Sequence, residues 1–163
     1  MLFRSFLLGS WEVSGIWSLH SGTPFTIYGG SGNNNSLSQV GNDHADYVSG
    51  QPLNQHQGSK NDWLNQYFNT AAYVANQSGV FGNAPRADSQ LRNPGSITVN
   101  LGLFKSFRGI AESHKLQFRS EFFNILNRPN FGAASANLDG ACFGCLTSAA
   151  DGRLIQMALK YIF

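Results

Sequence analysis

Hydrophobic residues recur at every second position in four segments of the chain. At the C-terminus, Ile155, Met157, Leu159, Tyr161 and Phe163 share one face, while Gln156, Ala158 and Lys160 share the other. Leu154 and Ile162 are apolar exceptions on the polar side. In residues 114–127, Leu116, Phe118, Ser120 and Phe122 alternate with Lys115, Gln117, Arg119 and Glu121. Phe118, Phe122 and Leu126 also fall at helical spacing, but the strict alternation of Lys, Gln, Arg and Glu selects a strand. Residues 96–107 place Ile97, Val99, Leu101 and Leu103 against Thr98, Asn100, Gly102 and Phe104. Residues 11–21 place Trp11, Val13, Trp17 and Leu19 against Glu12, Ser14, Ser18 and His20. Period two over about ten residues predicts four half-apolar strands. Residues 24–28 are expected to continue the first strand past a bulge.

The connections are unequal. Residues 108–113 form a short link that contains Gly109 and suits a tight antiparallel turn. Residues 30–94 and 128–152 are long and rich in Asn, Ser, Gln and Gly, and they read as loops without strands of their own. Such loops are rare in compact soluble domains. The order is therefore strand, long loop, strand, tight turn, strand, long loop, strand. Both long loops leave one end of the sheet.

Composition narrows the class. Only 12% of the 163 residues are charged, yet the hydrophobic fraction is an ordinary 42%. That charge content is roughly half the usual share. The Lys and Arg are scattered and the net charge is +2, which gives no basic footprint for nucleic acid. Residues 1–9 have an apolar run broken by Arg4 and Ser5, which does not suit a signal peptide. They read as the interior of a longer chain. No run of about 18 apolar residues predicts a membrane helix. Two architectures then fit the strands. A soluble sandwich would hide the apolar face in a core. An outer-membrane barrel wall would turn it to lipid, with water on the charged side, short turns at one rim and long loops at the other. The charged face of residues 115–121 and the aromatics near the strand ends favour the barrel, and lipid requires such a sheet to close.

Candidate chemistry is sparse. Cys142 and Cys145 lie three residues apart. Without the further Cys or His of a zinc site, they read as a small loop disulfide or a pair of free thiols. Asp43, His44 and Asp46 read as a polar turn, with no metal expected. No triad is arguable from residue order, so the expectation is no catalytic residue, no cofactor and no enzyme activity. Trp63, Tyr67, Tyr73 and Phe81 are candidate ligand contacts in the loops, against the plainer reading that they pack the loop on itself.

Seven stretches, in order, resemble the C-terminal part of TonB-dependent receptors of the Oar-like kind. They are WEVSGIWSLHSGTPFTI (11–27), YFNTAAYV (67–74), VFGNAPR (80–86), LRNPG (91–95), ITVNLGLFKSF (97–107), LQFRSEFFNILNRPNFG (116–132) and the terminal strand. The resemblance implies an all-β fold in which residues 1–163 form about four strands of an antiparallel barrel wall. The whole barrel would have about 22 strands around a plug. The plug and N-terminal domain lie outside this stretch, so the chain reads as a receptor fragment. The resemblance implies residence in the bacterial outer membrane, contact with its lipid and with the barrel-assembly machinery, and coupling to TonB only through the plug. It implies uptake of a substrate that it does not name. A structural or adhesive barrel, or a soluble carbohydrate-binding sandwich, are the alternatives.

In the same resemblance, Ile155, Met157, Leu159, Tyr161 and the terminal Phe163 look like a barrel-assembly signal. Phe163→Ser in the complete protein is expected to reduce the heat-modifiable band in outer-membrane fractions. Undiminished insertion would refute the terminal signal.

Overall fold

The computed structural model describes residues 8–30, 32, 34–39, 41–53, 59–108 and 114–163. In chain order the strands are β1 (Trp11–His20), β2 (Pro24–Phe25), β3 (Asp46–Tyr47), β4 (Tyr73–Val74), β5 (Asp88–Arg92), β6 (Ser96–Arg108), β7 (Lys115–Phe123) and β8 (Leu154–Ile162). One short helix, α1 (Lys60–Asn65), and a 3-10 turn at Thr70–Ala72 lie between β3 and β4. The chain divides into two compact units, one formed by residues 1–20, 96–130 and 150–163, the other by residues 21–95 and 131–149.

The first unit is a four-stranded antiparallel sheet in the order β1-β6-β7-β8. Its strands run for nine to thirteen residues, long enough to cross a bilayer at a tilt. Pairing puts Val13 opposite Leu103, Trp17 opposite Val99 and Leu19 opposite Ile97. It continues with Leu101 opposite Phe122 and Lys105 opposite Phe118. Phe118 then meets Leu159, Phe122 meets Ile155 and Leu116 meets Tyr161. Because side chains alternate across a strand, these pairs place the apolar sets of all four strands on one face. A slip of one residue anywhere would turn a whole strand over. The opposite face carries Glu12, Ser14, Asn100, Gln117, Arg119, Glu121 and Lys160 at matching positions.

The apolar face is open in the outer strands. Val13, Trp17, Leu19, Met157 and Leu159 are 64–75% exposed. None of the fully buried hydrophobic residues belongs to this sheet among the described residues. A face this apolar and this wide needs a nonaqueous neighbour. Two polar residues interrupt it. Lys105 sits near the end of the sheet that carries Trp11, Phe107 and Tyr161. Its ammonium is bonded to the Gly9 carbonyl oxygen and lies 5.3 Å and 5.4 Å from the Trp11 and Phe107 ring centres. This cation–π arrangement suits the edge of a bilayer. Ser120 lies between Leu103 and Met157, and its buried Oγ has no hydrogen-bond partner among the described residues.

The predicted strands match β1, β6 and β8 closely, but two expectations change. The segment 114–127 is strand only to Phe123, because Asn124 takes a left-handed conformation with φ 50°. That conformation ends the ladder. Pro24–Phe25 does not prolong β1. It pairs with β5 in a separate two-stranded sheet, with a register shift between the two residues. The tight turn predicted at 108–113 falls, beyond Arg108, outside the described residues, as does most of the 1–9 segment.

Past Phe123 the chain seals the top of β6, whose pairing with β7 begins only at Leu101. The Ile125 amide donates to the Val99 carbonyl (2.9 Å). Asn130 then uses its side-chain amide in place of a peptide unit. Its Oδ1 accepts from the Ile97 N–H (2.9 Å) and its Nδ2 donates to the Ile97 carbonyl (3.1 Å). The Asn124 side chain bonds both the N–H and the carbonyl of Arg128 and donates to the Asp151 carbonyl, while Asn127 Oδ1 accepts from the Arg153 N–H. Three asparagines at spacing three thus satisfy backbone groups that the ladder leaves unpaired.

The long connections are not structureless, which corrects the loop reading of residues 30–94 and 128–152. They supply most of the second unit, which has its own core of Ile27, Ala45, Phe68, Ala72, Tyr73, Ala84, Leu91 and Ala134. Phe68 and Leu91 are each 1% exposed.

The face assignment makes a quantitative prediction. Leu101→Arg and Leu159→Arg in the complete protein should each cost about 2–4 kcal/mol of folding stability, read by urea unfolding in lipid vesicles. Neutral substitutions would mean that this face does not meet the bilayer.

Candidate functional site: a polar wall and a folded loop unit

On the polar face of the sheet, Gly102, Phe104, Arg119 and Glu121 form one cluster. Gly102 lies opposite Glu121 and Phe104 opposite Arg119. A Cβ on Gly102 would come within 2.8 Å of both the Phe104 ring and Ser14 Oγ, so glycine leaves the space in which the ring lies. The Arg119 guanidinium stacks 5.0 Å from the centre of that ring and donates to Glu121 Oε1 at 3.1 Å. Both charged side chains remain substantially exposed, so the ion pair adds little stability. It defines a hydrated, charge-bearing wall instead. A shallow concavity of about 190 Å³ touches Gly102, Phe104 and Glu121, with Ser14, Asn100 and Phe123 beside them.

The loop unit is held by side chains that replace strand ladders. Asp43 is buried and accepts from the Ser36 N–H (2.8 Å), the Ser36 hydroxyl (2.6 Å) and Asn76 Nδ2 (3.2 Å). These donors, the Ser36 hydroxyl first, hold its carboxyl below the usual aspartate value against the opposing effect of burial. His44 Nδ1 is 2.9 Å from the Ala84 carbonyl oxygen, and Asp46 Oδ1 accepts from the Asn83 N–H (2.9 Å). The 43–46 segment is thereby engaged in cross-linking the loop 76–84. Gly82 is required here, because any Cβ would run into the His44 carbonyl. Among the described residues no group of three His, Cys, Asp or Glu is placed to hold a metal.

The four aromatic candidates separate. Tyr73 is buried (4% exposed) in the core between Tyr47 and Phe68, and burial, with Asp88 and Tyr47 nearby, pushes its hydroxyl up to about 12. It is a packing residue and offers no surface to a ligand. Trp63, on α1, stands edge-on to both Tyr67 and Phe131 at 5.3 Å. Tyr67 is fixed by its hydroxyl, which donates to the Arg92 carbonyl (2.7 Å). Phe81 is 69% exposed. The start of α1 is secured by a capping box in which Ser59 and Asp62 bond each other's backbone amides. Cys142 and Cys145 are joined as a disulfide, one of the two states their spacing allowed. In β8, Ile155, Met157, Leu159 and Tyr161 share the apolar face, and Phe163 follows the strand with its ring 6.2 Å from that of Tyr161.

The residue-level reading missed two features. One is the Phe104–Arg119 stack, which needs the register of two strands and was signalled only by Gly102 among larger residues. The other is a cavity lined by Tyr47, Gln51, Asp88 and Gln90, which lie too far apart in sequence to form a motif.

An open amphipathic antiparallel sheet with a polar, charged wall defines an outer-membrane β-barrel protein. A family model described as "Outer membrane beta barrel domain" matches residues 2–156. The chain belongs to that family, and its place is the outer membrane. This removes the soluble sandwich from the alternatives. No curated protein and no solved structure matches the chain.

The Asp43 network predicts a pH dependence. A lowered folded value means that its contribution is full above the unfolded aspartate value of about 4 and is lost as pH falls through the folded value. Trp63 fluorescence, read in a Trp11→Phe/Trp17→Phe background, should therefore report loosening of the loop unit on acidification. Asp43→Asn should weaken the unit at neutral pH and flatten that response. An unchanged acid response would show that Asp43 does not carry it.

Proposed function

We propose that these residues form the closing wall and outer loops of a TonB-dependent receptor of the Oar-like kind. In this reading the complete protein imports a substrate across the outer membrane with energy delivered through TonB. One observation carries the proposal beyond a generic barrel: the long connections are folded around a core of their own, anchored by buried polar networks, as a surface built for recognition must be. The seven matching stretches of sequence support the same reading.

The division of labour follows from the geometry. Lipid meets the Leu101, Phe118 and Leu159 face. The hydrated wall of Arg119, Glu121 and Gln117 lines the passage and offers a moving ligand exchangeable hydrogen bonds. The loop unit meets ligand from outside, with Phe81 and the Trp63–Tyr67 pair among its aromatics. TonB acts through a plug supplied by another part of the protein. The barrel-assembly machinery inserts the wall. The protein performs no covalent chemistry on its ligand.

The four strands leave the outer edges of β1 and β8 without a strand partner among the described residues. Such edges do not persist in lipid, so further strands of the same polypeptide close the barrel in this reading. Immunoblotting of native outer membranes with an antibody to the loop unit should detect a species several times the 17.8 kDa of this chain. That species should cross-link to TonB in energised cells. A 17.8 kDa species without a TonB cross-link would favour a structural barrel built from copies, and would overturn the receptor.

A further inference from the structure

The loop unit contains a cavity of about 310 Å³ that the aromatic candidates do not line. It lies at the small end of the range for ligand pockets, about 300–1,000 Å³. One side is Tyr47 of β3 with Gln51 and Leu53 after it; the other is Asp88 and Gln90 of β5. Among the described residues, Pro52 and Pro85 add rigid rings to the lining.

The walls are fixed in place. The Tyr47 hydroxyl donates to the Gln51 carbonyl (2.5 Å), and its ring packs 6.0 Å from that of buried Tyr73. Buried Asn69 ties the next two residues, donating from Nδ2 to the Pro52 carbonyl (2.8 Å) and from its backbone N–H to the Leu53 carbonyl (3.0 Å). On the opposite wall Asp88 Oδ1 accepts from the Gln90 N–H (2.9 Å). Such bracing is what a preformed site requires.

The chemistry of the lining selects a ligand class. Two carboxamides offer paired donors and acceptors, and one carboxylate offers acceptors. Tyrosine and proline rings offer flat apolar faces. No Lys or Arg lines the cavity among the described residues, so nothing there compensates an anion. We propose that this cavity binds a neutral, hydroxyl-rich ring of one or two sugar units, its hydroxyls held by Gln51, Asp88 and Gln90 and its C–H face set against Tyr47. The inference rests on the receptor reading only for its biological use, since it names the substrate class; binding itself needs no energy coupling.

Saturation-transfer NMR on the complete protein in detergent, with glucose, galactose and maltose as probes, tests it. The expected result is saturable transfer to ring protons from at least one sugar. Gln90→Ala and Asp88→Asn should each weaken binding at least tenfold, while leaving Trp63 fluorescence unchanged. No transfer from any of the three sugars to folded protein would overturn the site. So would binding that both variants leave intact. Choline as a fourth probe distinguishes a cation site: choline binding that depends on Asp88, without sugar binding, would also overturn the proposal. Sugar binding at this site without TonB-dependent uptake would leave the site standing and refute transport. TonB-dependent uptake without sugar binding would do the reverse.

Discussion

Backbone hydrogen bonding in a medium without water governs this structure. A peptide group facing lipid has no solvent to fall back on, so every strand must pair with neighbours over the whole membrane span. That requirement accounts for the shared register of β1, β6, β7 and β8, and the register accounts for the two faces. Once Leu101 is paired with Phe122 and Phe118 with Leu159, the alternation of each strand leaves no freedom about which side meets lipid. The low charge of the chain follows as well. About half of each strand faces hydrocarbon, where an ion is costly, and the charged residues of β7 gather on the other side.

Where the ladder ends, side chains take over its role. The loop unit is rich in Asn, Ser and Asp because these short polar groups bond the backbone locally. Asp43, Asn69 and Asn76 are all buried and all bonded to loop segments distant in sequence. The small core of Phe68, Leu91 and Ile27 is then enclosed by satisfied polar groups. Lipid burial and aqueous burial are thus used in separate parts of one chain, and the hydrophobic residues of each have different neighbours.

The strands were legible in the sequence because a period of two sustained over nine or more residues has few competing explanations. The end of β7 was less legible. Asn124 interrupts a segment whose apolar spacing carries on to Leu126, and only the backbone conformation reveals the break. The fold of the long connections was not legible at all. Its core draws Ile27, Phe68, Leu91 and Ala134 from positions with no common period, and two-residue strands such as β3 and β4 carry no pattern. For the same reason the sequence left Tyr73 open between a ligand contact and a packing residue, and only its burial beside Tyr47 decides for packing. The polar wall was half legible: its charges were evident, but the stacking of Arg119 on Phe104 depends on a neighbouring strand.

The carboxamide of Asn130 bonds Ile97 at two points, as a peptide unit would. The height of the sealed wall at this rim is therefore decided by a side chain and not by strand length. A barrel built this way keeps β7 short while β6 runs on, so the rim is stepped. The step is a place where chain can leave the membrane without exposing a broken ladder, and its position is encoded in asparagine side chains.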